Sequence, residues 1–276
     1  MIKYPVIFLL LCSVFSYSGL YGQESYLLKI QPKAGTEYRF TNNVNVSVTS
    51  GDDAVMSTNM MQNIVSKITA SSTAEVSMTE KVEKIKGSST SMGRTFDFDT
   101  SNPMAGNPTM NAQMEQLVGK EMVSRFKPNG VFVAGDNPFE GIAGGSSNAS
   151  DFRNITGGVR FSDQAIKISE SWTVVDTLKN QGITTISYTT WTLQEIKDDL
   201  AILSSTGTGN IAGQPPMMPD GKVEGTMTAK GSATIELQSG ICRESSQRIE
   251  AKMNMSYSGQ TQQLTSVTET AMKRVN

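Results

Sequence analysis

Residues 223–257 alternate between apolar and polar positions along two long runs. The odd positions of the first run are apolar or glycine, and they are Val223, Gly225, Met227, Ala229, Gly231, Ala233, Ile235 and Leu237. A turn at Ser239 and Gly240 follows, and the second run has its apolar residues at Ile249, Ala251, Met253, Met255 and Tyr257. Since successive side chains on a strand point to opposite faces, the pattern predicts two long antiparallel strands with one buried face and one solvated face.

Shorter alternating runs predict two groups of antiparallel strands around a less regular middle. These strand regions are residues 37–98, the hairpin 122–134, residues 171–178 and residues 183–196. Residues 204–221 interrupt the second group with four glycines and three prolines, and this composition predicts a long inserted loop.

The middle of the chain carries the best helix signal. Asn107 is a good N-cap and Pro108 suits the first helical position. An apolar stripe follows before Gly119, made of Met110, Met114, Leu117 and Val118. A second short helix is predicted around residues 151–155. The predicted fold is mainly β, a curved antiparallel sheet forming a half-barrel or barrel with one or two short helices. The small residues of the 223–237 run leave room above this sheet for the helix or for a ligand.

The first 22 residues have the organisation of a secretory signal peptide. A basic start at Lys3 is followed by an apolar run over residues 6–15, which is too short to span a bilayer. Leu11 precedes Cys12 where a lipobox has a small residue, so lipidation is not favoured. The sequence therefore predicts a signal peptide at residues 1–22, a single antiparallel β domain at residues 23–276, and an exported protein, periplasmic or associated with the cell surface.

Composition argues against several function classes. The chain has no histidine, which excludes His-based catalytic triads and the commonest zinc and iron ligand sets. Lys and Arg number 24 against 26 Asp and Glu, so no basic excess favours nucleic acid. No catalytic motif is present, and we expect no enzyme activity, no cofactor and no metal. Removal of residues 1–22 leaves Cys242 as the one cysteine; a structural residue is favoured over a reactive thiol.

Methionine is the unusual residue of this chain, with 16 copies. Three interpretations stay open: core filler, a pliable lining for a hydrophobic ligand, and copper handling by thioether sulfur. The second interpretation identifies candidate ligand-binding residues on the apolar face of the two long strands, with a methionine pair near the mouth. These residues are Met227, Ile235, Leu237, Ile249, Met253, Met255, Met217 and Met218.

Two short runs carry a resemblance to a family of uncharacterised bacterial exported proteins. The run 124–131 resembles a hairpin of that family, and the run 161–172, which ends at Trp172, resembles its second signature. In that family a proline and a glycine usually introduce the tryptophan strand, whereas Ser162 and Ser169 stand here. The resemblance implies a half-barrel similar to that of periplasmic lipoprotein carriers, whose concave face holds acyl chains. It implies no catalytic residue, because none is assigned in that family.

The sequence therefore predicts a non-catalytic exported envelope protein that binds a lipid or other apolar ligand on the concave face of a curved sheet. The alternative is a structural or protein-interaction module of the cell envelope, with an envelope protein as its partner and no small-molecule ligand. An enzyme is the least favoured class. A large apolar pocket would favour the first hypothesis, and a completely filled sheet would favour the second.

Overall fold

A computed structural model describes residues 24–102, 104, 106–136, 154–180, 182–215 and 220–276 of the 276-residue chain. The predicted signal peptide, Met217 and Met218 lie outside the described residues. The strands are β1 (Ser25–Tyr26), β2 (Glu37–Ser50), β3 (Asp53–Ser71), β4 (Val76–Ser91), β5 (Arg94–Asp99), β6 (Glu121–Phe126), β7 (Phe132–Gly135), β8 (Ile166–Lys167), β9 (Ser171–Asn180), β10 (Ile183–Lys197), β11 (Leu200–Gly213), β12 (Lys222–Glu236), β13 (Cys242–Tyr257) and β14 (Gln260–Arg274). One α-helix, α1 (Pro108–Glu115), and a 3₁₀ turn, Asn154–Thr156, complete the described elements.

Twelve of these strands form one antiparallel sheet in the order β7-β6-β4-β3-β2-β14-β13-β12-β11-β10-β9, with β5 also paired to β4. The two predicted groups of strands become one sheet because β14 pairs with β2, for example through Thr268 and Val46. Strands β1 and β8 form a separate two-stranded sheet. The mainly β, antiparallel prediction is confirmed, and the large sheet is not closed into a barrel.

The predicted loop at residues 204–221 is wrong over its first half, because β11 continues to Gly213. Atoms of the neighbouring strands lie close to Gly207, Gly209 and Gly213, so a larger residue at these positions would clash with them. A Cβ on Gly209 would lie 2.7 Å from the Ile186 carbonyl oxygen and 2.8 Å from the Met227 Cγ. Glycine in a strand interior marks such a close approach as often as it marks a turn.

The predicted helix is confirmed, but it does not pack on the 223–237 run, where the sequence suggested either the helix or a ligand. The Asn107 side-chain oxygen accepts hydrogen bonds from the Thr109 and Met110 backbone N–H groups at 3.0 and 3.1 Å. The helix contributes to a satellite cluster on β3, β4, β5 and β6, where the buried residues are Ile64, Val82, Ile85, Phe98 and Met122. The space above the 223–237 run is therefore not filled by α1.

The main core lies on one face of the sheet, which we call the inner face, and at one end of the strands. There the inner-face side chains are fully buried, as for Phe40, Ile68, Leu193, Leu203 and Ile235. Two segments cover them: residues 24–35, through Leu28 and Ile30, and residues 154–168, through Ile155, Val159 and Phe161. We call these two segments the cover and this end of the inner face the closed half.

The two runs that carry the family resemblance meet in the closed half. The Phe161 backbone N–H donates to the Asn129 carbonyl oxygen at 2.8 Å, and the Asn129 side chain donates to Asp163 at 2.7 Å. On the other side, the Trp172 Nε1 donates to the Arg160 carbonyl oxygen at 2.7 Å. The segment 159–163 thus links the β6–β7 turn to edge strand β9. Ser169, which precedes the tryptophan strand, has a φ of 70°, a conformation that favours glycine.

Candidate functional site

The cover leaves the other end of the inner face partly exposed, and we call this end the open half. The sheet register aligns its side chains in rows across β10, β11, β12 and β13. One row is Ser187, Gly209, Met227 and Ala251, and the next is Thr189, Gly207, Ala229 and Ile249. Met227 and Ile249 are half-buried there, whereas Ile235, on the same face of β12, is completely buried in the closed half.

A cavity of about 460 Å³ lies on these rows, bordered by the cover at Gly158 and Arg160. This volume is within the range of about 300–1,000 Å³ that is usual for small-molecule sites. Its apolar lining consists of Val174, Leu178, Trp191, Ile211, Met227, Ala229 and Ile249. Its polar lining consists of Arg160, Asp176, Thr177, Thr185, Ser187, Thr189 and Gln247.

Two methionines form an adaptable floor because glycines lie beneath them. A Cβ on Gly209 would lie 2.8 Å from the Met227 Cγ, and a Cβ on Gly225 would lie 3.0 Å from the Met253 Cγ. Each methionine side chain therefore lies flat on a neighbouring strand. Methionine has three rotatable side-chain bonds and a polarisable sulfur, so such a floor can adapt to different apolar shapes.

Three hydroxyl groups line the opposite wall of the cavity, on β10. Thr185, Ser187 and Thr189 are half-buried and occupy successive inner-face positions. Within the described part of the chain, none of these hydroxyls has a hydrogen-bond partner. Neighbouring threonines on the outer face are paired, as for Thr173 and Thr190 at 2.9 Å. The cavity wall thus offers unused donors and acceptors where the floor offers none.

The charged groups at the cavity neutralise each other. Arg160 and Asp176 are the charged residues in the lining, and the Arg160 Nη1 donates to an Asp176 carboxylate oxygen. Both side chains are largely shielded from solvent. The cavity therefore has hydroxyls interspersed with Val174, Leu178 and Trp191 on the β9–β10 side, mainly apolar side chains with Gln247 on the β12–β13 side, and an ion pair between Arg160 and Asp176.

The predicted ligand-binding residues fall into three groups. Met227 and Ile249 line the cavity, and Met253 and Met255 lie half-buried on the same face nearer the β13–β14 turn. Ile235 is completely buried in the main core and Leu237 packs against that core, so both belong to the closed half. Met217 and Met218 lie outside the described residues.

Sequence reasoning missed the β10 wall and the cover. Thr185, Ser187 and Thr189 alternate with Ile186 and Tyr188, so alternation alone would place the apolar residues on the inside. The structure does the reverse, and Ile186 and Tyr188 are 37% and 46% exposed on the outer face. The same strand held a usable signal further along, since Trp191 and Leu193 place the odd positions of β10 on the buried side.

The strongest electrostatic cluster lies in the closed half, outside the cavity. The Glu236 carboxylate accepts hydrogen bonds from Arg274, Ser239 and Arg243. The Arg274 hydrogen bond is the main reason why the pKa of Glu236 is lowered to about 2. The Arg274 guanidinium also lies 5.6 Å from the centre of the Tyr38 ring. This cluster ties the ends of β12 and β14 to β2.

Cys242 is completely buried beside the cover. Burial raises the pKa of its thiol to about 12, so the thiolate is not formed at neutral pH. A Cβ on Gly157 would lie 2.6 Å from the Cys242 Sγ, which shows how closely the cover approaches β13. Cys242 is therefore a packing residue. Among the described residues, no group of three or more His, Cys, Asp or Glu side chains could hold a metal ion.

No helix in the described ranges is long and apolar enough to cross a membrane. No known protein family matches this sequence, and no curated protein matches it either.

Several solved structures resemble this chain broadly in their β-sheet fold. A structure describing lipid–protein interactions in lipovitellin matches 88% of this chain and 25% of its own, with 10% identity and a TM-score of 0.51. The chain thus spans a quarter of that lipovitellin chain. An outer membrane channel from Pseudomonas putida F1 matches 90% of this chain and 97% of its own, with 7% identity and a TM-score of 0.31. A mutant porin of Rh. blastica matches 86% and 99%, with 6% identity and a TM-score of 0.20. At these identities the lipovitellin likeness concerns the fold alone, and the two lower TM-scores support no inference.

Proposed function

We propose that this protein is a non-catalytic exported envelope protein that binds a lipid or another apolar ligand in the open half of the inner face. One observation carries the proposal: Leu178, Met227 and Ile249 are half-exposed around a 460 Å³ cavity in the open half, whereas inner-face apolar side chains of the closed half are completely buried. Full burial of an exposed isoleucine contributes about 1.5–3 kcal/mol, and a ligand that covers the exposed part of half-buried Ile249 gains a fraction of this, which favours an apolar occupant. The likeness to part of lipovitellin is compatible with this proposal.

The methionine floor supports a flexible ligand over a rigid one. Met227 and Met253 each lie over a glycine and are not locked between larger side chains. Their conformations can follow the shape of an acyl chain, which itself has many conformers. Of the three interpretations of the methionines, this arrangement favours the pliable lining for these two residues.

Two substitutions of the same type, on opposite faces, test the proposal. Ile249→Asn places an amide in the cavity, and Ile186→Asn makes the same change on the outer face. In a titration with a fluorescent palmitic acid analogue, we expect Ile249→Asn to weaken binding at least tenfold, or about 1.4 kcal/mol. Ile186→Asn should leave the affinity unchanged. No binding by the unsubstituted protein, or equal losses in both variants, would contradict the proposal. Far-UV circular dichroism checks that both variants fold.

The export part of the proposal depends on residues 1–22 and has its own test. Expression in a bacterial host should give a protein in the envelope fraction whose N-terminus, measured by mass spectrometry, is Gln23. An intact Met1 in the soluble cytoplasmic fraction would contradict it.

A second candidate function, a protein-interaction module of the envelope, is favoured by the outer face of β9 and β10. Val175 and Tyr188 are opposite each other across these strands and are 51% and 46% exposed, and Ile186 is close by. Exposed apolar groups on an edge strand and its neighbour are typical of contact surfaces. If this function holds, Tyr188→Ser should abolish a defined complex isolated by cross-linking in the envelope while Ile249→Asn preserves it.

A further inference from the structure

The two walls of the cavity differ in chemistry. On one side, Thr185, Ser187 and Thr189 present three hydroxyls from β10, among the apolar side chains of Val174, Leu178, Trp191 and Ile211. On the other side, Met227, Ala229 and Ile249 present an apolar surface from β12 and β13. β10 and β13 are three strand spacings apart in the sheet, about 14 Å. A ligand that matches both walls has a hydrogen-bonding end and an apolar end.

The apolar side continues beyond the cavity in one direction. Met253 pairs with Leu264 of β14 in the next row of the inner face, and both side chains are half-buried. Met255 lies two residues further along β13 on the same face. A chain that leaves the cavity over β12 therefore meets apolar side chains toward the β13–β14 turn.

The charge balance of the lining distinguishes between head groups. Arg160 is the cation of the lining, and its guanidinium already donates to the Asp176 carboxylate. The one Arg160 donor that is buried without a partner, Nε, has almost no accessible surface, so a ligand carboxylate would meet a guanidinium whose charge Asp176 already balances. A neutral head group with several hydroxyls can donate to and accept from the β10 hydroxyls, which the described residues leave unpaired.

We infer that the ligand is a single-chain amphiphile with an uncharged, hydroxylated head group, such as a monoacylglycerol. Its head lies against Thr185, Ser187 and Thr189, and its chain lies across Met227 and Ile249 toward Met253 and Leu264. This inference rests on the proposed function, because it specifies the chemistry and the orientation of the ligand at the same site.

Affinity for three ligands of one chain length tests the head group. Monopalmitin should bind about tenfold more tightly than palmitate at pH 8 or methyl palmitate, because two net hydrogen bonds contribute roughly 0.5–1.5 kcal/mol each. The double variant Thr185→Val with Ser187→Ala removes two hydroxyls with little change in volume. It should weaken monopalmitin binding about tenfold and methyl palmitate binding by less, because the methyl ester has no hydroxyl group to pair with these side chains. Palmitate binding as tightly as monopalmitin, or an equal loss for all three ligands in the variant, would overturn the inference.

Fluorescence quenching tests the orientation. Trp191 lines the cavity beside the hydroxyl wall, and the chain's other tryptophan, Trp172, is removed by Trp172→Phe. Monoacylglycerols brominated near the glycerol should quench Trp191 more strongly than those brominated at the chain end. A variant that carries Met253→Trp, with Trp172 and Trp191 changed to Phe, should show the reverse order. The same order in both proteins would overturn the inference while leaving lipid binding intact. Saturable binding of none of these lipids would overturn the proposed function as well.

Discussion

The closed and open halves of the inner face are built from the same strands and yet have different environments. Strand β12 runs through both: Ile235 is completely buried in the closed half, and Met227 is half-buried beside the cavity. The difference comes from the cover, residues 24–35 and 154–168, which reaches only the closed half. On β12 the alternating sequence therefore specifies which face is apolar, while distant segments decide where that face becomes core and where it becomes a site.

The two halves also differ in what they contribute: the closed half mainly stabilises the fold, and the open half contains the candidate binding site. The main core, the Glu236 cluster and the contacts of the cover all lie in the closed half. The open half leaves Leu178, Met227 and Ile249 half-exposed, so these side chains contribute less to folding. We expect substitutions in the closed half to change the free energy of unfolding and those in the open half to change affinity.

Substitutions at a matched pair of isoleucines should show the difference in stability between the two halves most clearly. Ile235→Ala removes a fully buried side chain and should lower the free energy of unfolding by about 2–5 kcal/mol. Ile249→Ala makes the same change at a half-buried position of the open half and should lower it by about 1 kcal/mol. Urea denaturation measures both values. Equal losses would show that the open half is as much a part of the core as the closed half.

Acid should weaken the closed half through Glu236. Its pKa is about 2 in the folded protein and near 4.5 when unfolded, so the ionised form stabilises the fold above pH 4.5. This contribution is lost as the pH falls from about 4.5 to about 2, and it amounts to at most about 3 kcal/mol. Urea denaturation at several pH values measures it. In Glu236→Gln the free energy of unfolding should be lower at pH 7 and should depend less on pH in this window. An unchanged pH profile would contradict the assignment.

Substitutions at two adjacent glycines test how closely the cover packs on β13. Gly157 and Gly158 both have positive φ, at 64° and 82°, but a Cβ on Gly157 would meet Cys242 and Ser245 within 2.8 Å whereas one on Gly158 would meet nothing within 4 Å. Gly158→Ala should cost about 1–2 kcal/mol from backbone conformation alone. Gly157→Ala should cost a further 1–3 kcal/mol, roughly, from overpacking. Thermal denaturation compares them, and identical melting temperatures would show that the cover does not pack closely on β13.

The smallest expected effect concerns Cys242. Because burial holds its thiol protonated, Ellman's reagent at pH 8 should label less than a tenth, roughly, of the folded protein within an hour. Labelling should become complete in urea. Rapid labelling of the folded protein would show that the cover opens readily, and Cys242→Ser would serve as the blank.

The sequence predicted the parts of this molecule that depend on local periodicity. Alternation identified β12 and β13, and Asn107 and Pro108 identified the start of α1. It did not predict β11, because Gly207 and Gly209 resemble turn residues unless their neighbours are known. It did not predict the cover, because residues 24–35 and 154–168 have no regular period and act through tertiary contacts.

The residues of the candidate site also divide into those that local periodicity predicts and those that it does not. Met227 and Ile249 were identified because they follow the apolar alternation, and Ile235 follows it equally well although it is part of the core. Burial by a distant segment separates these cases, and no local pattern reports it. The sequence did not predict Thr185, Ser187 and Thr189 as site residues. Alternation predicts apolar side chains on the inner face of a strand, and these three are polar.

Native mass spectrometry of the protein purified from its own envelope, combined with lipid extraction, tests the central claim most directly. The account predicts a single acyl-chain species bound in a one-to-one ratio, and its loss in Ile249→Asn but not in Ile186→Asn. A protein mass without ligand, together with no uptake of added monopalmitin, palmitate or methyl palmitate, would contradict it.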